Sequence, residues 1–102
     1  MPGKFSFTLT PDAEDEYLQS FAWYEEQRTG LGKRFKLSVR KKFQLITNNP
    51  ELYGKKKGRY HEALLSKSFP FVIIYTINRK QKNITITSIF HTSRSPRKKY
   101  RN

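Results

Sequence analysis

The chain has 102 residues, enough for one compact domain with a single hydrophobic core. It contains 21 Lys or Arg and 8 Asp or Glu, and the resulting net charge of +13 favours a polyanion or an acidic protein as its partner. It has no cysteine, which excludes disulfides and thiolate metal sites. No apolar stretch resembles a signal peptide or a membrane span, so we expect a cytoplasmic protein with no membrane partner.

The charge is unevenly distributed along the chain. Residues 1–29 contain six acidic and two basic residues, a net charge of −4, whereas residues 30–102 contain nineteen basic and two acidic residues, a net charge of +17. A well-solvated surface requires only a modest excess of one sign. We therefore expect the C-terminal part of the chain to bind an anionic partner.

The first predicted elements are a short strand and an amphipathic helix. Phe5, Phe7 and Leu9 alternate with polar residues, which is typical of a half-buried strand. Thr10 followed by Pro11 predicts a helix start, because Thr caps the first turn and Pro fits the first helical position. The apolar face of this helix repeats at helical spacing and consists of Ala13, Tyr17, Leu18, Phe21 and Tyr24.

A second helix is predicted over residues 31–48. The glycines at positions 30 and 32 indicate the end of the first helix, and Asn48-Asn49-Pro50 ends the second. Such a short link between two amphipathic helices indicates an antiparallel helical hairpin. The predicted buried face of the second helix consists of Leu31, Phe35, Val39, Phe43 and Ile46.

The remaining chain predicts a loop over residues 50–59 and strands over 60–65, 71–77 and 84–90. The fold class is therefore a small two-layer α+β domain: an N-terminal strand, an antiparallel helical hairpin and a three-strand antiparallel meander. We expect residues 1–102 to form a single domain with a flexible basic tail over 95–102. Alternation in the last strand puts Ile84, Ile86, Ser88 and Phe90 on the face that packs on the helices, and His91 on the opposite face or just past the strand end.

Several kinds of catalytic site are excluded by the residues present. The two histidines are thirty residues apart and have almost no carboxylates nearby, so no metal site is predicted. The sequence has no Gly-rich phosphate loop, no nucleophile-elbow motif and no cysteine nucleophile. We expect no cofactor, and an enzyme of this composition would work mainly with cations.

One reaction suits these residues: cleavage of an RNA phosphodiester by its own 2′-hydroxyl, for which a protein need only position groups, transfer protons and stabilise charge. The imidazole ring of His91 can accept one proton and return another, which suits proton transfer. Arg94 stays charged and can contact phosphate oxygens with two N–H groups. The supporting candidates are Lys57 and Arg59 as a second cationic wall, and Tyr100 and Tyr60 for stacking on an unpaired base.

Each of these candidates also has a structural alternative. A histidine at a strand end is often a hydrogen-bonded turn residue, and a lysine run such as Lys55–Lys57 is often a solvated loop. The residues alone therefore indicate binding to a polyanion, with RNA cleavage as a further hypothesis.

Five blocks of residues occur in the order found in a known family. Together they resemble the RelE/ParE superfamily of toxins from type II toxin–antitoxin systems, over about residues 7–100. The resemblance implies an antiparallel sheet carrying a helical hairpin, and an acidic antitoxin protein as cognate partner. The blocks are Trp23-Tyr24-Glu25-Glu26-Gln27, Gly30-Leu31-Gly32-Lys33-Arg34-Phe35, Asn49-Pro50-Glu51-Leu52-Tyr53, Phe69-Pro70-Phe71-Val72-Ile73-Ile74-Tyr75 and His91-Thr92-Ser93-Arg94.

The resemblance implies two alternative activities. RelE-like members cleave mRNA on the ribosome with basic residues of the sheet face and a C-terminal Arg, His or Tyr, whereas ParE-like members inhibit DNA gyrase by protein–protein contact. Our leading expectation is metal-independent, ribosome-dependent mRNA cleavage; gyrase inhibition is the alternative, and a catalytically silent antitoxin-binding relative is the third. His61 enters only through this resemblance, since similar sequences often have Arg there. The catalytic candidates are His91, Arg94, Arg59 and His61, and the RNA-binding candidates are Lys55, Lys56, Lys57, Arg97, Lys98, Lys99 and Tyr100.

Overall fold

A computed structural model describes residues 5–93, which form a five-stranded sheet with two long helices packed on one face. The predicted tail, residues 95–102, lies outside the described residues. A short 3₁₀ helix, Pro50–Leu52, follows the second long helix. The elements are β1 (Ser6–Leu9), α1 (Pro11–Gln27), α2 (Leu31–Asn48), β2 (Lys55–Lys57), β3 (Tyr60–Leu64), β4 (Phe71–Asn78) and β5 (Asn83–His91).

The strand order across the sheet is β1-β5-β4-β3-β2. The meander from β2 to β5 is antiparallel, but β1 runs parallel to β5. The two-layer α+β class with its helical hairpin is confirmed, whereas the wholly antiparallel sheet implied by the resemblance is wrong at β1. The predicted loop over 50–59 is also wrong, because it contains the 3₁₀ helix and β2. Three successive lysines show no apolar alternation, so only backbone pairing reveals that strand.

The helical hairpin is closed by one carboxylate. Glu25, near the end of α1, accepts hydrogen bonds from the backbone N–H groups of Gly30 and Gly32, each at 2.9 Å. Gly30 has a φ of +91°, a conformation that favours glycine. A Cβ on Gly32 would lie 2.8 Å from the carbonyl oxygen of Phe21, so only glycine lets the two helices approach this closely.

The core lies between the hairpin and one face of the sheet. Phe35 and Ile46 of α2 pack there with Ile73 and Tyr75 of β4, all fully buried. The Tyr75 hydroxyl donates a hydrogen bond to the carbonyl oxygen of Pro50 at 2.8 Å. Burial, with a smaller contribution from neighbouring Tyr53 and Glu51, raises the pKa of Tyr75.

A β-bulge in β5 changes the face to which its last side chains belong. Ile74 pairs with Ser88 while Tyr75 pairs with Ile86, which leaves Thr87 as an extra residue. Ile84, Ile86 and then Ile89 therefore join the core on the helix side. Phe90 instead clusters on the opposite face, with Val72 and Ile74. The predicted alternation is wrong beyond Thr87, and His91 lies on the helix side of the sheet.

Candidate functional site

His91 is the last residue of β5 and borders a cleft between β5 and α1. Its ring packs edge-on against Phe71, its partner on β4, with 5.3 Å between ring centroids. The side chain is only partly buried, so it is accessible from the cleft.

The hydrogen bonds of His91 fix which ring nitrogen carries the proton. The backbone N–H of Ser93 donates to Nδ1 at 3.1 Å, and the Ser93 hydroxyl lies 2.8 Å from the same nitrogen. Because an amide N–H can only donate, Nδ1 must be unprotonated and the proton of the neutral ring is on Nε2. In this arrangement His91 is a hydrogen-bond donor through Nε2. Action as a base at Nε2 would require the other tautomer and loss of the Ser93 bond.

His61 has a different environment. It lies on β3, is only 3% exposed, and stacks on the Tyr75 ring with 5.0 Å between centroids. Its Nδ1 is 2.6 Å from the carbonyl oxygen of Tyr53. Since a carbonyl only accepts, Nδ1–H donates this bond, which ties β3 to the segment before β2.

The two histidines do not face each other. β4 lies between β3 and β5, and His61 pairs with Tyr75 whereas His91 pairs with Phe71. Four residues along β4 correspond to about 13 Å, and two strand spacings add about 10 Å across the sheet. Proton transfer shared between His61 and His91 is therefore incompatible with this topology.

Arg59 lies at the opposite end of the sheet from His91. It is in the turn before β3, with its guanidinium 5.5 Å from the centre of the Tyr60 ring, and it lines a shallow basic depression with Asn78 and Lys80. The eight residues of β4 separate that end from the Phe71–His91 pair, a span of about 23 Å. One phosphate cannot contact both Arg59 and His91.

The predicted RNA-binding lysines form an exposed edge strand. Lys55, Lys56 and Lys57 constitute β2, where Lys55 pairs with His61 and Lys57 with Tyr60. Lysines on an edge strand discourage pairing with other chains, which is a structural reason for their presence. The other predicted site residues lie outside the described residues: Arg94, Arg97, Lys98, Lys99 and Tyr100.

The sequence-based predictions missed the cleft beside His91. It has a volume of about 560 Å³ and lies between the second half of α1 and the end of β5. Trp23, at 57% exposure, is a prominent part of its wall. The hydroxyl of Ser20, a residue that is only 5% exposed, has no hydrogen-bond partner among the described residues. The lining residues are Gln19, Ser20, Trp23, Tyr24, Phe71, His91 and Ser93.

A family model, the ParE toxin of the type II toxin–antitoxin system parDE, matches residues 7–96. The chain belongs to this family. A similar solved structure is the chromosomal ParDE toxin–antitoxin system from P. aeruginosa, with a TM-score of 0.73 and 13% sequence identity over 87% of this chain and 97% of that one. At this identity the structural match shows a shared fold. A search of curated proteins gave no significant match.

Membership of the ParE family makes this chain a toxin-type protein of a toxin–antitoxin system and supports an antitoxin as its partner. Within residues 5–93, no group of His, Asp and Glu side chains is arranged to hold a metal ion. In the same part of the chain, no helix combines the length and the apolar composition needed to cross a membrane.

The two helices of this ParE-family toxin carry opposite charges. α1 has six acidic and no basic residues, and α2 has six basic and no acidic residues. Leu37 and Leu45 are exposed among the cations of α2. Arg34 and Lys41 line a groove between α2 and the β3–β4 connection, which suits an acidic segment carrying apolar side chains.

Proposed function

We propose that this toxin arrests growth by binding a protein target, DNA gyrase, rather than by cleaving mRNA. The observation that carries the proposal is the separation of the candidate catalytic residues: His91 and Arg59 lie at opposite ends of β4, and His61 is buried between them.

Phosphodiester cleavage requires a proton-transfer group and a charge-stabilising group within hydrogen-bond distance of the same phosphate. Among the described residues, His91 has no Lys or Arg in the lining of its cleft. Its Nδ1 already accepts the Ser93 N–H, and the Nδ1–H of His61 is already donated to Tyr53. The histidines thus have structural partners, as expected of a protein that binds rather than cleaves.

The surface also offers features of a protein-binding domain. Large apolar side chains are exposed on both helices, including Trp23 on α1 and Leu37 on α2. Tryptophan is enriched among residues that dominate the energy of protein interfaces. Within the superfamily that the sequence resembles, gyrase inhibition belongs to the ParE-like branch, and the family match over residues 7–96 favours that branch.

The test compares both activities with one protein. Purified toxin is titrated into a gyrase supercoiling assay, and mRNA 5′ ends are mapped by primer extension after induced expression in cells. We expect loss of supercoiling activity and intact messages. New ends in translated messages, with gyrase unaffected, would overturn the proposal.

The second candidate function is the mRNA cleavage predicted above, and one observation favours it. His91 borders an open cleft and carries a proton on Nε2 that it can donate to a leaving oxygen. Arg94, three residues further along the chain, would have to supply the phosphate contact. If cleavage occurs, His91→Ala and Arg94→Ala should each remove the new 5′ ends while the protein stays folded.

A further inference from the structure

We propose that the α1–β5 cleft is the docking site for an extended, neutral or basic segment of the toxin's protein target. The segment would pair with the edge of β5 at His91 and insert a large apolar side chain beside Trp23. This inference rests on the proposed function, because it requires a protein target.

The cleft exists because β1 is shorter than β5. The pairing of β1 with β5 ends at Leu9 and Ile86, so no described strand covers the edge of β5 beyond that point. The Glu16 side chain occupies the first part of the uncovered edge: its Oε1 accepts the Ile89 N–H at 2.8 Å and the Ser88 hydroxyl at 3.1 Å. One turn further along α1 lie Gln19 and Ser20, and Trp23 lies two turns further; in the described part of the chain the space between these side chains and β5 is open.

Backbone groups of His91 face this open space. The Thr92 N–H donates to the carbonyl oxygen of Pro70 at 2.9 Å, which makes Phe71 and His91 a non-hydrogen-bonded pair of the antiparallel ladder. In such a pair the N–H and C=O of each residue point away from the other strand. Those of His91 therefore point to the edge that β1 leaves uncovered, where an added strand can pair with them.

The walls of the cleft suit a large apolar side chain. Trp23 and Tyr24 stack edge-to-face at 5.1 Å between centroids, and Phe71 and His91 form the facing wall. The Ser20 hydroxyl is buried and has no partner among the described residues. An unpaired buried hydroxyl is unfavourable, so a ligand that supplies a hydrogen-bond acceptor here gains affinity over a purely apolar one.

Charge selects the target segment over an acidic antitoxin segment. Among residues 5–93 the cleft lining contains no Lys or Arg, and it lies on α1, whose charged residues are all acidic. An acidic segment would be repelled there and matches the cationic α2 instead. A neutral or basic segment meets no such repulsion.

The experiment uses the full chain and two variants of the cleft. Trp23→Ala removes the exposed wall, and Ser20→Leu fills the cleft from within. Leu18→Ala is the matched control, because Leu18 is on the same helix and is 54% exposed against 57% for Trp23. Gyrase inhibition is titrated for each protein, and folding is followed by circular dichroism.

We expect the half-inhibitory concentration to rise at least tenfold for Trp23→Ala and Ser20→Leu, and to stay within twofold for Leu18→Ala. Wild-type inhibition by both cleft variants would overturn this inference and leave the proposed function standing. A wild type that cleaves mRNA and spares gyrase would overturn both.

A direct measurement avoids dependence on the folding of variants. Trp23 is the only tryptophan of the chain, so 7-azatryptophan incorporated there can be excited selectively in a mixture with gyrase. Occupation of the cleft should shift its emission to shorter wavelength and reduce quenching by acrylamide. Unchanged emission at gyrase concentrations that saturate the toxin would contradict the inference.

Discussion

Glu25 shows how much of a short helical hairpin can depend on one side chain. Its two carboxylate oxygens accept the N–H groups of Gly30 and Gly32. Gly30 is the N-cap of α2 and has no side chain with which to cap it, so Glu25 supplies the acceptor from the preceding helix. Glu25 lies in one block of the family resemblance, and Gly30 and Gly32 lie in the next. These hydrogen bonds give residues of both blocks a structural role that requires no catalytic one.

The first prediction concerns this carboxylate. Glu25→Ala should lower the free energy of unfolding by about 2 kcal/mol, because it removes two hydrogen bonds to a charged acceptor and leaves the N-terminus of α2 uncapped. Urea denaturation of the purified variant measures the change. Glu26→Ala, at the exposed neighbouring position, is the control and should change stability by less than about 0.5 kcal/mol. Equal effects at the two positions would refute the capping role.

Roles of single residues were the least predictable from sequence. The pattern singled out His91 as titratable, but which ring nitrogen is free depends on the Ser93 N–H, a contact that only the local turn reveals. His61 became a candidate only through the family resemblance, and its burial against the Tyr75 ring is visible only in the structure. Residue type predicts available chemistry, whereas hydrogen-bond partners decide whether that chemistry is used.

At the scale of elements, Tyr75 joins β4 to the 3₁₀ helix through its bond to the Pro50 carbonyl. Because burial raises the pKa of Tyr75, the unfolded chain, with a tyrosine pKa near 10, loses the proton first as pH rises. The contribution of the protonated Tyr75 hydroxyl to the free energy of unfolding is therefore complete below about pH 10. Above that pH it falls progressively, by up to about 1.4 kcal/mol per pH unit for one group.

Tyr75→Phe should make the free energy of unfolding decrease less steeply above pH 10. We expect the variant to be less stable than the wild type at pH 8, by about 1–2 kcal/mol for the unpaired Pro50 carbonyl, and the gap to narrow at pH 10.5. Urea unfolding at the two pH values gives both numbers. Tyr17 and Tyr24 also have raised pKa values, so part of the alkaline loss will remain. A gap that does not change with pH would contradict the prediction.

Elements governed by local patterns were predicted well, and pairings between distant segments were not. Thr10 and Pro11 mark the start of α1, and the Thr10 hydroxyl does accept the Ala13 N–H. The bulge at Thr87 carries no such signal, because threonine fits either position of a strand. Yet one inserted residue moves every later side chain to the other face. The cleft likewise follows from unequal strand lengths, four residues in β1 against nine in β5, which no single motif encodes.

At the scale of the whole molecule, charge is divided between the two helices, acidic on α1 and basic on α2. A strongly basic surface binds nucleic acid without specificity, and such binding weakens as salt displaces it. We expect any such binding by this chain to follow its net charge and not the recognition of a specific target. It can be distinguished from target binding by its salt dependence.

The third prediction concerns the contribution of the α2 cations to nonspecific binding of nucleic acid. For single-stranded RNA, the logarithm of the association constant falls linearly with the logarithm of the salt concentration. Replacing Arg34 and Lys41 by Gln should make this slope less steep by about 1.4, since each lost phosphate contact contributes about 0.7. Fluorescence anisotropy between 50 and 200 mM salt measures the slope. Gln44→Ala, on the same helix, should leave it unchanged. A slope that is the same in the double variant would exclude α2 from polyanion binding.

The position of β1 has a consequence for the order of folding. Ser6 pairs with Asn83, 77 residues later in the chain. The strand β1 can therefore pair only after β5 has been synthesised. The α1–α2 hairpin, in contrast, depends on contacts between neighbours in sequence and can form much earlier. We expect a nascent chain to present its cationic helix before the cleft beside His91 exists. A partner that recognises α2 could thus capture the toxin during translation, before the toxin is able to act.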